Sequence, residues 1–143
     1  MTAMVESEGK FARVSSGLPH FAQVWIRVEE GSGNISVRCS GAGFTSQGSF
    51  EDAPAVGYDH WKAGAAAGVR YALGHAGRGD IDVTIARIAG LSTDTNPTIV
   101  GAAAALATWN ALGFVPVPSE WARVESIVFG SWQRPLDEVP SFV

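Results

Sequence analysis

Apolar and polar residues alternate along several stretches of the chain, which is the pattern of strands with one buried face. The longest alternation spans residues 20–30, and its inward side consists of Ala22, Val24, Ile26 and Val28. A second alternation, at 35–40, follows the glycine-rich turn 31–34, so we predict an antiparallel hairpin of these two strands. A third alternation spans 80–91, and a last strand is expected around 124–129.

Helical spacing replaces the alternation in two other stretches. The first predicted helix spans 56–75 and is capped by Gly77. The second begins at Asn96-Pro97, because Asn is a favoured N-cap and Pro is tolerated at the first helical position. It is rich in alanine and ends at Gly113, which suits the left-handed conformation that follows a helix. A helix this small and apolar on nearly every side belongs in the middle of a fold.

The predicted order β-β-(β)-α-β-α-β is typical of an α+β domain. We expect a two-layer sandwich, in which a mostly antiparallel four-stranded sheet carries two helices on one face. A chain of 143 residues, 46% of them hydrophobic, suits one domain, 1–143. Its parts are an N-terminal arm or edge strand at 1–16, a core at 17–132 and a tail at 133–143. Within the core we expect a loop at 41–54, with a short strand near Phe44.

Composition narrows the function classes. The net charge of −4 does not favour a broad nucleic-acid footprint. The one cysteine, Cys39, allows no intrachain disulfide and lies in an alternating strand, so we expect a small core residue in a reducing compartment. The three histidines lack metal-ligand spacing, and we expect no metal and no cofactor. No apolar run is long enough for a membrane span and the N-terminus is too polar for a signal peptide, so we expect a cytoplasmic protein.

The outward side of the predicted hairpin is the leading candidate for a binding surface. It carries aromatic and arginine residues, which partner interfaces favour: Phe21, Gln23, Trp25, Arg27 and Arg38. Both helices are predicted on the opposite side of the sheet, so this face has no predicted cover. The alternative is that the N-terminal arm or the C-terminal tail folds over it, with Trp121 or Trp132 packed there. We expect a protein partner or self-association.

Four segments carry a family resemblance. They are F-A-Q-V-W-I-R-V at 21–28, E-D-A-P-A-V-G-Y-D-H-W-K-A-G-A-A-A-G-V at 51–69, G-D-I-D-V-T-I-A-R-I at 79–88 and S-T-D-T-N-P-T-I-V-G-A-A-A-A-L-A at 92–107. Their order resembles domain IV of elongation factor G, in the superfamily of the second domain of a small-subunit ribosomal protein. The resemblance covers residues 17–130. It implies a left-handed βαβ crossover, and we expect a stand-alone domain without the GTPase part.

The resemblance also implies a second hypothesis, an RNA- or ribosome-associated factor. In the family, two tip loops reach the decoding region of the ribosome and mimic tRNA. Their counterparts here would be 17–20, ending at His20, and 92–96, which includes Asp94. Neither loop carries a lysine or arginine, and this absence of positive charge weighs against contact with RNA.

A third hypothesis concerns the start of the second helix. A helix N-terminus attracts anions, and Thr95, Asn96 and Thr98 could supply polar groups to an anion or to an enzyme site. Simple capping by Asn96 is the alternative. The segment Pro97–Gly101 resembles the corresponding helix starts of galactokinase-type kinases and Lon-type proteases, but it lacks the serines of the first and a following lysine base of the second. We therefore favour a non-catalytic binding or assembly domain.

Overall fold

The computed structural model describes residues 4–44 and 50–142. Its strands are β1 (Val5–Ser15), β2 (Leu18–Glu30), β3 (Ile35–Val37), β4 (Glu51–Asp52) and β5 (Ile81–Gly90). Its helices are α1 (Asp59–His75), α2 (Pro97–Leu112) and α3 (Pro118–Phe129), and a short 3-10 helix follows at Ser131–Gln133.

The strands form one mixed sheet in the order β1-β2-β5-β3, with β4 pairing on β5. Three of the four pairings are antiparallel, and only β3 runs parallel to β5. The predicted α+β class, with a mostly antiparallel sheet and helices packed on it, is confirmed. Of the segment 1–16, predicted as an arm or an edge strand, residues 5–15 form the edge strand β1, which extends the sheet beyond β2.

The predicted hairpin of β2 and β3 is wrong. The glycine-rich turn carries the chain past the end of β5, so β3 pairs with the far side of β5 and β5 separates it from β2. Asp82 of β5 fixes this path, because its carboxylate accepts hydrogen bonds from the backbone N–H groups of Ser32 and Asn34, both at 2.9 Å. The backbone N–H of Val83 in turn donates to the carbonyl of Asn34.

The predicted strand at 124–129 is also wrong, because this segment belongs to α3. Pro118 occupies the first turn of the helix, a position that costs no hydrogen bond. Val124 and Val128 are fully buried and lie four residues apart, so they face one side of a helix. The β-branched residues that suggested a strand are therefore the core face of α3.

Helices α1 and α2 pack side by side on one face of the sheet, α1 over β3 and β5 and α2 over β1 and β2. Cys39 is buried in the core, as predicted. The described tail lies on the helix side as well, where the buried Phe142 contacts Tyr71 of α1 at a ring distance of 5.4 Å. Near Phe44, Gly43 forms an isolated bridge with Asp52, and residues 45–49 of the predicted loop lie outside the described residues.

Candidate functional site

The face of the sheet opposite the helices carries the predicted binding residues. We call it the open face, defined by the outward side chains of β1, β2, β5 and β3. The strand register places Glu6, Arg27, Thr84 and Ser36 side by side in one row across these four strands. Phe21, Gln23, Trp25 and Arg27 are all half-buried, and Arg38 is exposed.

A groove of about 530 Å³ lies across the middle of the open face. The register of β2 on β5 shifts beside this groove, between Trp25 and Ile26. The groove is lined by Glu6, Ser7, Glu8, Trp25, Ile26, Arg27, Arg38, Ser40 and Ala86. The structure thus brings three of the five predicted residues, Trp25, Arg27 and Arg38, into one groove.

Arg27 is the residue of this groove whose hydrogen bonding is incomplete. Its Nε is buried and has no hydrogen-bond partner within the described residues. Across the same ranges of the chain, neither Arg27 nor Arg38 forms an ion pair. A buried donor left without a partner destabilises the free protein by roughly 1–3 kcal/mol. A partner that supplies an acceptor at Arg27 would remove that cost.

The aromatic residues of the open face are held in place by neighbours. The guanidinium of Arg87 lies 4.2 Å from the ring centroid of Trp25, and Asp52 orients that guanidinium through hydrogen bonds of 2.7 and 3.4 Å. Phe21 stacks on Phe50 at a ring distance of 4.8 Å. One face of the indole is therefore covered by a cation, and a pre-arranged Trp25 loses little conformational entropy on binding.

The alternative, in which Trp121 or Trp132 covers this face, is wrong. Trp121 lies on the helix side, at a ring distance of 6.4 Å from Trp109 of α2. The indole Nε1 of Trp132 donates to the carbonyl of Pro19 at 2.9 Å, beside His20 on the buried side of β2. Within residues 4–44 and 50–142, neither the N-terminal strand nor the tail covers the open face.

His20 does not lie at a loop tip. The tight turn between β1 and β2 is formed by Ser16 and Gly17, both with positive φ, and His20 already belongs to β2. Its side chain is only 1% exposed and packs edge-on against Phe129 at 5.5 Å. The placement of His20 at an RNA-reaching tip is thus corrected, because the period of β2 turns this side chain into the core.

The polar residues before α2 have structural partners. The Oδ1 of Asn96 accepts a hydrogen bond from the backbone N–H of Ile99 at 2.9 Å, which confirms the capping alternative. Its Nδ2 donates to the Oγ of Ser131. The hydroxyl of Thr95 donates a hydrogen bond to the carbonyl of Phe21, and the backbone N–H of Phe21 donates to the carbonyl of Asp94. Thr98 is buried as well, with 6% of its surface exposed.

A second concave site lies beside this turn and was not predicted. Its centre is Glu51 of β4, which is 5% exposed. The carboxylate accepts hydrogen bonds from the Tyr58 hydroxyl at 2.8 Å and from the backbone N–H and Oγ of Ser92, both at 2.6 Å. No sequence signal marks this site, because Glu51 and Tyr58 form no recognisable motif and Ser92 lies 41 positions beyond Glu51.

Comparisons with known proteins bear on the fold. No family model matches the chain, and no curated protein matches it. The crystal structure of a protein from Thermus thermophilus is similar, with 16% sequence identity and a TM-score of 0.58. The match covers 77% of this chain and 16% of the Thermus protein, so the chain spans about a sixth of that protein's length. This likeness shows a shared fold.

Membrane spans and metal clusters are both absent from the part of the chain that the structure describes. Among the described residues, no helix is both long and apolar enough to cross a membrane. Residues 4–44 and 50–142 also contain no group of three or more His, Cys, Asp or Glu side chains placed to hold a metal ion.

Proposed function

We propose that this chain is a non-catalytic binding domain that docks a protein partner on the open face. The observation that carries the proposal is Arg27, whose buried Nε lacks an acceptor among the described residues, in the middle of an uncovered groove. Trp25 and Arg38 line the same groove, and tryptophan and arginine are among the residues most enriched at energetically dominant interface positions. The partner would supply a carboxylate or carbonyl oxygen to Arg27.

Charge favours a protein over RNA as that partner. Glu6 and Glu8 line the groove beside Arg27 and Arg38, so a polyphosphate backbone would meet two carboxylates. The net charge of −4 adds a repulsion over longer distances. A protein surface with charges of both signs can complement this arrangement. A second copy of the chain meets that condition, so self-association belongs to the same proposal.

The family interpretation remains part of the proposal. A domain that resembles elongation factor G domain IV and acts in the cytoplasm is compatible with the α+β fold. In this interpretation the open face, and not the loop tips, makes the contact, because the tip residues His20, Thr95 and Asn96 are buried.

An affinity pull-down from native extract tests the proposal. Wild type is compared with Trp25→Ala/Arg27→Ala, with and without RNase, and with Arg70→Ala as a control that removes an exposed arginine on the helix side. We expect a discrete protein partner, or a second copy seen by sedimentation, that survives RNase and Arg70→Ala. The double variant should retain about tenfold less of it.

Two outcomes would contradict this proposal. If the retained material is ribosomal and disappears with RNase, the RNA hypothesis replaces it. If the double variant, folded by circular dichroism, retains the same partner in the same amount, the open face is not the contact.

A further inference from the structure

A pocket of about 350 Å³ lies on the opposite side of β5 from the groove, between the start of α1, the turn before α2 and the segment after α3. Aromatic side chains form much of its wall, and Tyr58 and Trp61 meet edge to face at a ring distance of 4.9 Å. Trp132 of the 3-10 helix and Leu136 of the tail also line it, and Glu51 lies in its polar part. The pocket therefore combines an aromatic wall with one carboxylate.

Glu51 is an anion at neutral pH. Burial acts to raise the pKa of its carboxyl group, but the hydrogen bonds from Ser92 and Tyr58 outweigh burial, and the pKa lies below its ordinary value. Burial and the bond to Glu51 raise the pKa of Tyr58 to about 12, so this hydroxyl stays protonated and keeps donating. Tyr58 holds this position with a left-handed backbone (φ 56°, ψ 36°), which is uncommon for a residue with a side chain.

This buried carboxylate has no counter-ion among the described residues. Glu51 is in none of the ion pairs found there. Of the basic side chains nearby, Lys62 donates to the carbonyl of Ala55 and Arg87 pairs with Asp52. His60 also lines the pocket, but it forms no ion pair with Glu51 within the described residues. The amino end of α2 offers only a partial positive charge, on the order of half a unit. Buried charges in proteins are normally paired, so a cation is the partner that would complete this site.

We propose that this pocket binds an organic ammonium cation, such as an alkylamine or a lysine side chain, through Glu51 and the rings of Tyr58, Trp61 and Trp132. A carboxylate has about four acceptor positions, and Glu51 uses three, which leaves one for an N–H donor. Aromatic rings attract such cations through their quadrupole, which is negative at the ring face. A metal ion fits less well, because the pocket offers a single carboxylate and no set of three ligating side chains occurs in residues 4–44 and 50–142.

Binding of n-butylammonium tests the proposal directly. The probe is titrated while the indole N–H resonances of Trp61 and Trp132 are followed by NMR, with n-butanol as a neutral probe of similar size. We expect n-butylammonium to bind and to shift both resonances, at least about tenfold more tightly than n-butanol. Equal responses to the two probes, or none to either, would overturn the proposal.

Glu51→Gln removes the charge and keeps an acceptor oxygen, and Glu29→Gln makes the same change in net charge at an exposed site on β2. We expect Glu51→Gln to bind n-butylammonium about tenfold more weakly or worse, and Glu29→Gln to bind like wild type. Wild-type affinity in a folded Glu51→Gln protein would refute the role of the carboxylate.

A second pair of variants decides the question if Glu51→Gln does not fold. Leu136 lines the pocket and is 65% exposed, so a positively or a negatively charged side chain can replace it without loss of core packing. Leu136→Lys should weaken n-butylammonium binding several-fold by repulsion, and Leu136→Glu should leave it unchanged or strengthen it. Equal affinity of the two variants would contradict a cation site.

Discussion

At the scale of single residues, Gly64 and Gly68 allow α1 to approach α2 until their backbones touch. A Cβ atom at position 64 would lie 2.3 Å from the carbonyl oxygen of Pro97, and one at position 68 would lie 2.0 Å from that of Gly101. Both distances are far below van der Waals contact. The two glycines, four residues apart on one side of α1, are therefore required by the close packing of the helices and not by a turn.

Gly68→Ala should accordingly destabilise the protein. The added methyl group must push the helices apart, and overpacking of this kind costs about 1–3 kcal/mol of the free energy of unfolding. Gly74→Ala is the matched control, because it lies on the same helix with no atom within 4 Å of the new Cβ, and it should be neutral or stabilising by up to about 1 kcal/mol. Urea unfolding measures both. Equal effects of the two substitutions would show that the close contact of the helices does not limit the size of the side chain at position 68.

Residues with local partners could be predicted from the sequence, and residues with distant partners could not. Asn96 caps the helix that follows it directly, so its role depends on neighbours in the chain. The contacts of Glu51 depend on Ser92, which is 41 positions away, and His20 packs against residues more than 100 positions away. Only the folded sheet brings such groups together.

At the scale of elements, one polar network attaches α3 and the tail to α1. Tyr71 of α1 and Arg123 of α3 both donate hydrogen bonds to Glu120, and Arg123 also donates to the carbonyl of Phe142. The bond from Arg123, followed by that from Tyr71, lowers the pKa of Glu120 to about 2. The sequence shows apolar β-branched residues here and does not reveal these contacts, so it predicts a strand where the structure has a short helix with two buried residues.

The network predicts how stability depends on pH. Because the pKa of Glu120 is lower in the folded state than its ordinary value of 4.5, its contribution is complete above about pH 4.5 and is lost as the pH falls toward 2. The free energy of unfolding of Glu120→Gln should therefore be about 1 kcal/mol lower than that of the wild type at pH 7. This difference should shrink toward pH 2. Urea unfolding at several pH values measures this difference.

Tyr71→Phe provides the comparison for this prediction. It removes one donor and keeps the interaction of Glu120 with Arg123, the larger cause of the lowered pKa. This variant should retain most of the pH dependence. Parallel losses of stability in wild type and Glu120→Gln between pH 4.5 and 2 would contradict the role of the network.

At the scale of the whole molecule, alternation predicted β2 and β5 and the side chains that they turn inward, but it did not predict the order of the strands. Ala22, Val24, Ile26 and Val28 are all buried, as are Ile81, Val83 and Ile85. The pattern of β3 fits a place beside either β2 or β5, because both neighbours bury the same face. The choice depends on Asp82, which holds the turn from 48 and 50 positions away.

Engineered disulfides can test this strand order. In the observed sheet Ser36 lies opposite Thr84, with their hydroxyl oxygens 3.5 Å apart. In a Cys39→Ala background, Ser36→Cys with Thr84→Cys should oxidise to an intramolecular disulfide, since adjacent strands lie about 4.8 Å apart. A control combines Ser36→Cys with Glu29→Cys, which a hairpin through the turn 31–34 would place opposite each other. With β5 between them, β2 and β3 are about 9.6 Å apart, which is beyond the reach of a disulfide. Mass spectrometry of the oxidised digests should therefore find a cross-linked peptide in the Ser36→Cys/Thr84→Cys protein and none in the control. A cross-link in the control alone would mean that β3 pairs with β2.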